Sequence, residues 1–204
     1  MELYKEETHP WKFHIPPGAG TLFIGTFPTA VHNWTFPFFY PNKANYFWKI
    51  MSSIAACNLN LQLAEAEAVA ARKFLLSGLR IGVTDMGSRV ARYKGLSGDE
   101  FLEVREFMPV LELLVNHPSV QTIALTSSTG RVSAALWFQA YLKQQQTTFA
   151  IPTGRKPQSV NLHLARRSVR VVLVPSPSPR SARRYVFEEL VAMYKECLPL
   201  ASIA

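Results

Sequence analysis

Four short apolar runs, each followed by a helical pattern, constrain this 204-residue chain more than any other feature. They are 21–26 (TLFIGT), 79–84 (LRIGVT), 122–126 (TIALT) and 169–174 (VRVVLV). Each is too short for a helix and rich in branched residues, as strands buried on both faces should be. Apolar residues recur at three- and four-residue spacing over 45–57, with Phe47, Trp48, Met51 and Ile54 on one face. An alanine-rich helix is expected over 64–76. A further helix is expected over 100–115, with Asp99 as its N-cap and Pro109 splitting or kinking it. Another spans 129–143, where Ser127, Ser128 or Thr129 caps, and a last one spans 181–197. The stretch 144–167 is the least patterned and reads as an excursion or insertion.

Strands alternating with helices imply parallel pairing with right-handed crossovers. The expected fold is therefore α/β: a three-layer αβα sandwich around a central, mostly parallel four-stranded sheet, with residues 1–204 forming a single domain.

In open parallel sheets, ligands bind beyond the carboxyl ends of the strands. After the first run come Gly25, Thr26, Phe27 and Pro28, then the aromatic stretch from Trp34 to Tyr40. After the second come Asp85, Met86, Gly87 and Ser88, followed by Arg89, Arg92 and Lys94. After the third stand Ser127–Gly130 and Arg131, and after the fourth Pro175-Ser176-Pro177-Ser178-Pro179-Arg180, with Ser181, Arg183 and Arg184 beyond. One edge would thus gather cations, hydroxyls and loop N–H groups suited to phosphates. The aromatic stretch adds flat surfaces for stacking bases, or else is a hydrophobic loop tucked under a helix. Arg89, Arg92 and Lys94 are either part of this edge or a solvated face. Arg155, Lys156, Arg166 and Arg167 read as loop solvation or a backbone contact outside the site.

The net charge of +8 agrees with a polyanionic partner. Two distant cysteines, Cys57 and Cys197, sit in apolar helical patterns and read as buried thiols. The five histidines show no paired ligand spacing, so neither a metal nor another cofactor is expected. The first residues, MELYKEETHPWKF, carry acids and no apolar run, unlike a signal peptide. No stretch approaches the about 18 apolar residues of a membrane span, so a reducing cytoplasm is the expected compartment.

At these loops the chain resembles the uracil-DNA glycosylase superfamily. Its mismatch-specific branch opens on glycine, a variable residue, asparagine and proline, followed after an aromatic loop by N-x-F-W at a helix start. Here these stand as Gly25-Thr26-Phe27-Pro28 and Asn45-Tyr46-Phe47-Trp48. The second motif of the family, a Ser/Pro-rich turn after the last strand, is matched by Pro175 to Arg180. The likeness runs from about Thr21 to the last helix. Many members carry Asp or Asn where this chain has Phe27; the hypoxanthine-DNA glycosylase branch also lacks that side chain.

The resemblance implies a monofunctional DNA N-glycosylase of base-excision repair, a hydrolase that flips a deaminated base, uracil or hypoxanthine, out of DNA. It implies DNA containing a damaged base as partner, no cofactor, and a monomer. It assigns catalysis to Asn45 and base binding to Gly25, Thr26, Phe27, Pro28 and Tyr40; Asp85, from its place at the end of the second run, either gives catalysis electrostatic help or caps the following turn. DNA contact falls to Ser176, Ser178, Pro179, Arg180, Ser181 and Arg183, with Arg180 where the family inserts into the duplex. Two alternatives differ in class. One is a catalytically inactive nucleic-acid-binding module of the same fold, which Phe27 favours. The other is an enzyme using a covalent serine, which the absence of G-x-S-x-G and of a histidine after the last strand disfavours. A P-loop enzyme is disfavoured by the absence of G-x-x-x-x-G-K-[ST].

Overall fold

The computed structural model describes residues 3–60, 63, 65–165 and 167–199. Two short strands, β1 (Tyr4–Thr8) and β2 (Phe13–His14), precede the first buried strand, β3 (Thr21–Gly25). Helices α1 (Phe47–Ile54) and α2 (Glu65–Gly78) lead to β4 (Ile81–Asp85), β5 (Gly87–Tyr93) and β6 (Leu102–Phe107). Then follow α3 (Val110–Asn116), β7 (Thr122–Leu125), α4 (Ala134–Gln144), β8 (Gln158–Leu164) and β9 (Arg167–Leu173). The described chain ends with α5 (Pro179–Ala182) and α6 (Phe187–Lys195).

The larger sheet runs β2-β4-β3-β7-β9-β8. Its four inner strands are the four expected from sequence, and all pair in parallel. The sheet has six strands rather than four, because β2 and β8 add antiparallel edges. A separate three-stranded sheet, β1-β5-β6, is wholly antiparallel and was not expected.

Alternating side chains serve opposite faces of the larger sheet. Leu22, Ile24, Ile123, Leu125 and Val171 pack against α3 and α4, chiefly through Leu113, Leu114, Trp137 and Phe138. Phe23, Val83, Ala124 and Val172 pack with Ile50 and Met51 of α1, Leu76 of α2 and Tyr194 of α6. Burial on both faces explains why the inner strands read as continuous apolar runs rather than alternating ones.

Other expectations need correction. The segment 100–115 is not one helix. Its first part is β6, in which Leu102 is buried and Val104 half-buried while Glu103 and Arg105 point out, a period of two that pairing with β5 turns into a strand. The segment divides rather than kinks at Pro109, which is the N-cap of α3. Helix α4 begins at Ala134 with Ser133 as N-cap, accepting from the Leu136 N–H at 3.3 Å, while Ser127 Oγ accepts the Ala134 N–H at 2.8 Å, so Ser127 helps cap the helix from outside the N-cap position. The terminal helix divides into α5 and α6. The excursion at 144–167 contains β8. Arg167 is no solvated cation: its guanidinium donates to the Leu114, Pro118 and Val120 carbonyls and ties off the end of α3. Cys57 is exposed rather than buried. Residue 64, at the start of the helix expected over 64–76, and Arg166 lie outside the described residues. Among the described residues, no helix is long and apolar enough to cross a membrane.

Candidate active site

The parallel register sets Gly25 and Asp85 abreast at the carboxyl ends of β3 and β4. Beside them the chain leaves β7 at Thr126 and β9 at Val174. Between these ends lies a cavity of about 190 Å³. Of the residues nominated from sequence, Gly25, Thr26, Phe27, Pro28, Tyr40, Asn45, Asp85, Ser176, Ser178 and Pro179 all line it. Arg180, Ser181 and Arg183 do not; they stand just beyond, in and after α5.

Glycine at 25 has a steric reason. A Cβ there would overlap Asp85 Oδ1, so only a bare Cα lets the carboxylate lie against the strand end. The other carboxylate oxygen, Oδ2, is held by His9 Nε2 at 2.9 Å. His9, only 2 % exposed, lies between β1 and β2. Its Nδ1 accepts from the backbone N–H groups of Trp11 (3.2 Å) and Lys12 (2.9 Å). That assigns the ring hydrogen to Nε2, which donates to Asp85. Phe27 and Phe39 press on the same imidazole at 5.4 Å between ring centres. His9 therefore orients Asp85 from behind. Sequence reasoning missed it, since nothing local connects residues 76 positions apart.

A second carboxylate was also missed. Asp99 opens the 3-10 turn Asp99–Phe101 in the β5–β6 connection and lines the same cavity. Burial pushes its carboxyl up to about 6, with the nearby Asp85 and Glu100 adding to the rise and the Thr26 hydroxyl and Arg92 opposing it. Reading 100–115 as a helix made Asp99 a cap. The Gly- and Ser-containing stretch KGLSGD ahead of an alternating run was the available hairpin signal.

Asn45 Oδ1 accepts the Phe47 N–H at 2.9 Å at the start of α1. That bond fixes the orientation of the amide and leaves its NH₂ group as the donor of the side chain. Tyr40, with φ of 51°, stacks on Phe47 at 3.9 Å between ring centres and 14° between planes. Its hydroxyl lies 3.5 Å from Thr126 Oγ1, and burial, then Asp85, pushes its ionisation well upward, so it remains a phenol. Because Tyr40 is half-buried against the core, Tyr40→Ala is expected to lower Tm by several degrees, about 1–2 kcal/mol, in a thermal melt. Tyr40→Phe, which keeps the ring, is expected to leave Tm within about a degree.

The Ser/Pro turn is fixed at both ends. The Tyr194 hydroxyl donates to the Pro175 carbonyl and the Tyr46 N–H to that of Pro177, each at 2.8 Å. Ser178 N–H donates to Ser176 Oγ at 3.2 Å. The expected convergence of arginines is only partial. Arg92 is buried, bonding both Glu7 carboxylate oxygens and the carbonyls of Leu96 and Pro28. Arg89 pairs with Glu106 at 2.7 Å. These two brace the smaller sheet and the Phe27–Pro28 turn. Arg131, Arg183 and Arg184 are exposed, as is Arg180, which meets Glu100 at 3.2 Å with its side chain 80 % exposed.

Among the described residues, no three His, Cys, Asp or Glu side chains cluster to hold a metal ion. No protein-family model matches this sequence, and no curated protein is significantly similar to it.

Proposed function

We propose that the chain is a monofunctional DNA glycosylase, similar to the mismatch-specific and hypoxanthine-DNA glycosylase branch of the uracil-DNA glycosylase superfamily. In this reading it is a cytoplasmic monomer, and its helices and larger sheet make the three-layer αβα sandwich of that superfamily. The observation that carries it is the meeting, in one cavity, of both motif loops with Asn45 and two carboxylates.

The chemistry follows from those groups. Flipping a nucleotide from the duplex costs a few kcal/mol. Stacking on the Tyr40 ring, whose other face rests on Phe47, returns about 1–3 kcal/mol. Ser176 and Ser178 hydrogen-bond the strand's phosphates and fix its register. As the glycosidic bond breaks, negative charge gathers on the departing base and positive charge on the sugar. The Asn45 NH₂ donates to the base, and Asp85, braced by His9, faces the oxocarbenium. Asp99, with its pKa raised to about 6, takes the proton of the attacking water near neutral pH. Phe27 leaves the cavity without the motif-one amide or carboxylate, and Asp99 stands in for it. Phe27 also favours the second reading, a binding-only module, which needs the cavity but no ionisable group poised in it.

Single-turnover release from duplexes carrying hypoxanthine or uracil tests the proposal. Asn45→Ala is expected to lower the rate at least about tenfold, or about 1.4 kcal/mol of transition-state stabilisation. Full activity in that variant would remove Asn45 from the chemistry. Duplex binding is expected to fall steeply with salt, with a log–log slope of about −2 to −4 from the exposed arginines near the site. A flat salt response would argue against a backbone contact there.

A further inference from the structure

A second pocket, of about 240 Å³, adjoins the cavity and shares Asn42 and Asn45 with it. Its buried wall is Arg72 of α2, only 1 % exposed. The guanidinium lies 3.7 Å from the centre of the Phe36 ring and 5.4 Å from that of Trp48. Among the described residues its one hydrogen bond runs from Nη1 to the Ala68 carbonyl at 2.8 Å, and it joins no ion pair. Its Nε is buried without a partner. A buried cation lacking a counter-charge is costly, and aromatic faces offset only part of that cost. Lys43 and Lys49, both exposed, line the same pocket, as does Thr35. The Thr35 hydroxyl already donates to the Pro41 carbonyl at 2.8 Å, but two ammonium groups and a guanidinium with unused donors make a receptor for a tetrahedral oxyanion.

We propose that this pocket is a phosphate-binding subsite that takes a phosphodiester of the strand bearing the extruded nucleotide. The assignment of that strand rests on the glycosylase reading; the affinity for phosphate does not. The subsite would clamp the backbone beside the base cavity while the Ser/Pro turn holds it from the opposite motif. Asn45, common to both pockets, would couple the grip on the phosphate to the donor that meets the base.

The test scans a lesion-bearing duplex with neutral methylphosphonate linkages, one position at a time, and reads binding rather than base release. In the unaltered protein one position near the lesion is expected to lose affinity at least about tenfold. In Arg72→Met, and in the doubly substituted Lys43→Ala/Lys49→Ala, the same linkage is expected to cost less than about twofold. The lysine pair is exposed and keeps the test open if Arg72→Met fails to fold. A second arm measures Tm in inorganic phosphate against chloride at equal ionic strength, where phosphate is expected to protect the parent and not Arg72→Met. Protection by phosphate with a flat scan would overturn the strand assignment in favour of a small phosphate ester. The absence of both phosphate protection and a sensitive linkage would overturn the subsite altogether. Base release, measured separately, judges the glycosylase reading.

Discussion

Asp99→Asn is expected to lower single-turnover base release at pH 7 by about a hundredfold or more, the usual contribution of a positioned general base. Two further signatures separate this from a general loss of structure. The Asp99 carboxyl is raised from 3.8 to about 6, first by burial and then by Asp85 and Glu100. Release by the parent should therefore climb about tenfold per pH unit below 6 and level off above it, as the carboxylate form accumulates. The asparagine variant should lose that inflection.

Stability should move the other way. The folded state binds the Asp99 proton more tightly than the unfolded chain does. The contribution of Asp99 to parent stability is therefore fully present below about pH 4 and is lost as pH rises through about 6, where half of the folded molecules carry the carboxylate. Asn carries no such cost. Asp99→Asn should accordingly be more stable than the parent at pH 7, by about 1–3 kcal/mol, with the advantage gone below about pH 4. A variant less active yet more stable is the mark of a strained site carboxylate. Equal activity with an unchanged pH profile would remove Asp99 from the chemistry.

Gly25→Ala adds one methyl group and is expected to reduce base release by at least about a hundredfold. The new Cβ overlaps Asp85 Oδ1, so the carboxylate must swing away and the 2.9 Å hydrogen bond from His9 is lost. Crowding in a packed site costs about 1–3 kcal/mol, and a buried N–H without its partner costs a similar amount. A clear fall in Tm should accompany the loss of activity. If the overlap is the cause, adding Asp85→Ala should cost little more stability than Gly25→Ala alone, because the clashing oxygen is gone. Strict additivity of the two substitutions would point to a different origin.

The inner half of the fold was legible because its strands are buried on both faces and therefore read as plain apolar runs between helical patterns. Once those strands were assigned, the rule of carboxyl ends led to Gly25–Pro28, Tyr40, Asp85 and the Ser/Pro turn, whereas Asn45 came from the resemblance. What escaped depends on pairing rather than composition. Strand β2 has two residues and exists only against β4. Strand β6 has an acidic and basic exterior that suits a helix equally well, and β5 decides the matter. That one ambiguity hid Asp99, since a helix at 100–115 would carry it away from the site. Arg92 looked like a surface cation in sequence, and only the fold brings Glu7 and the Pro28 carbonyl to it. Arg72 gave no signal, because its meaning lies in the Phe36 ring brought to it from another loop.

The most direct test of the glycosylase reading is mass-spectrometric detection of free base, with protein in excess over duplexes carrying uracil, hypoxanthine, xanthine or mismatched thymine. Abasic sites are counted in the same samples by alkaline cleavage. The expected result is free hypoxanthine or uracil appearing one for one with alkali-labile sites, at least about tenfold more slowly in Asn45→Ala. No free base from any of the four duplexes, under conditions where the protein binds them, would contradict it and leave a binding module.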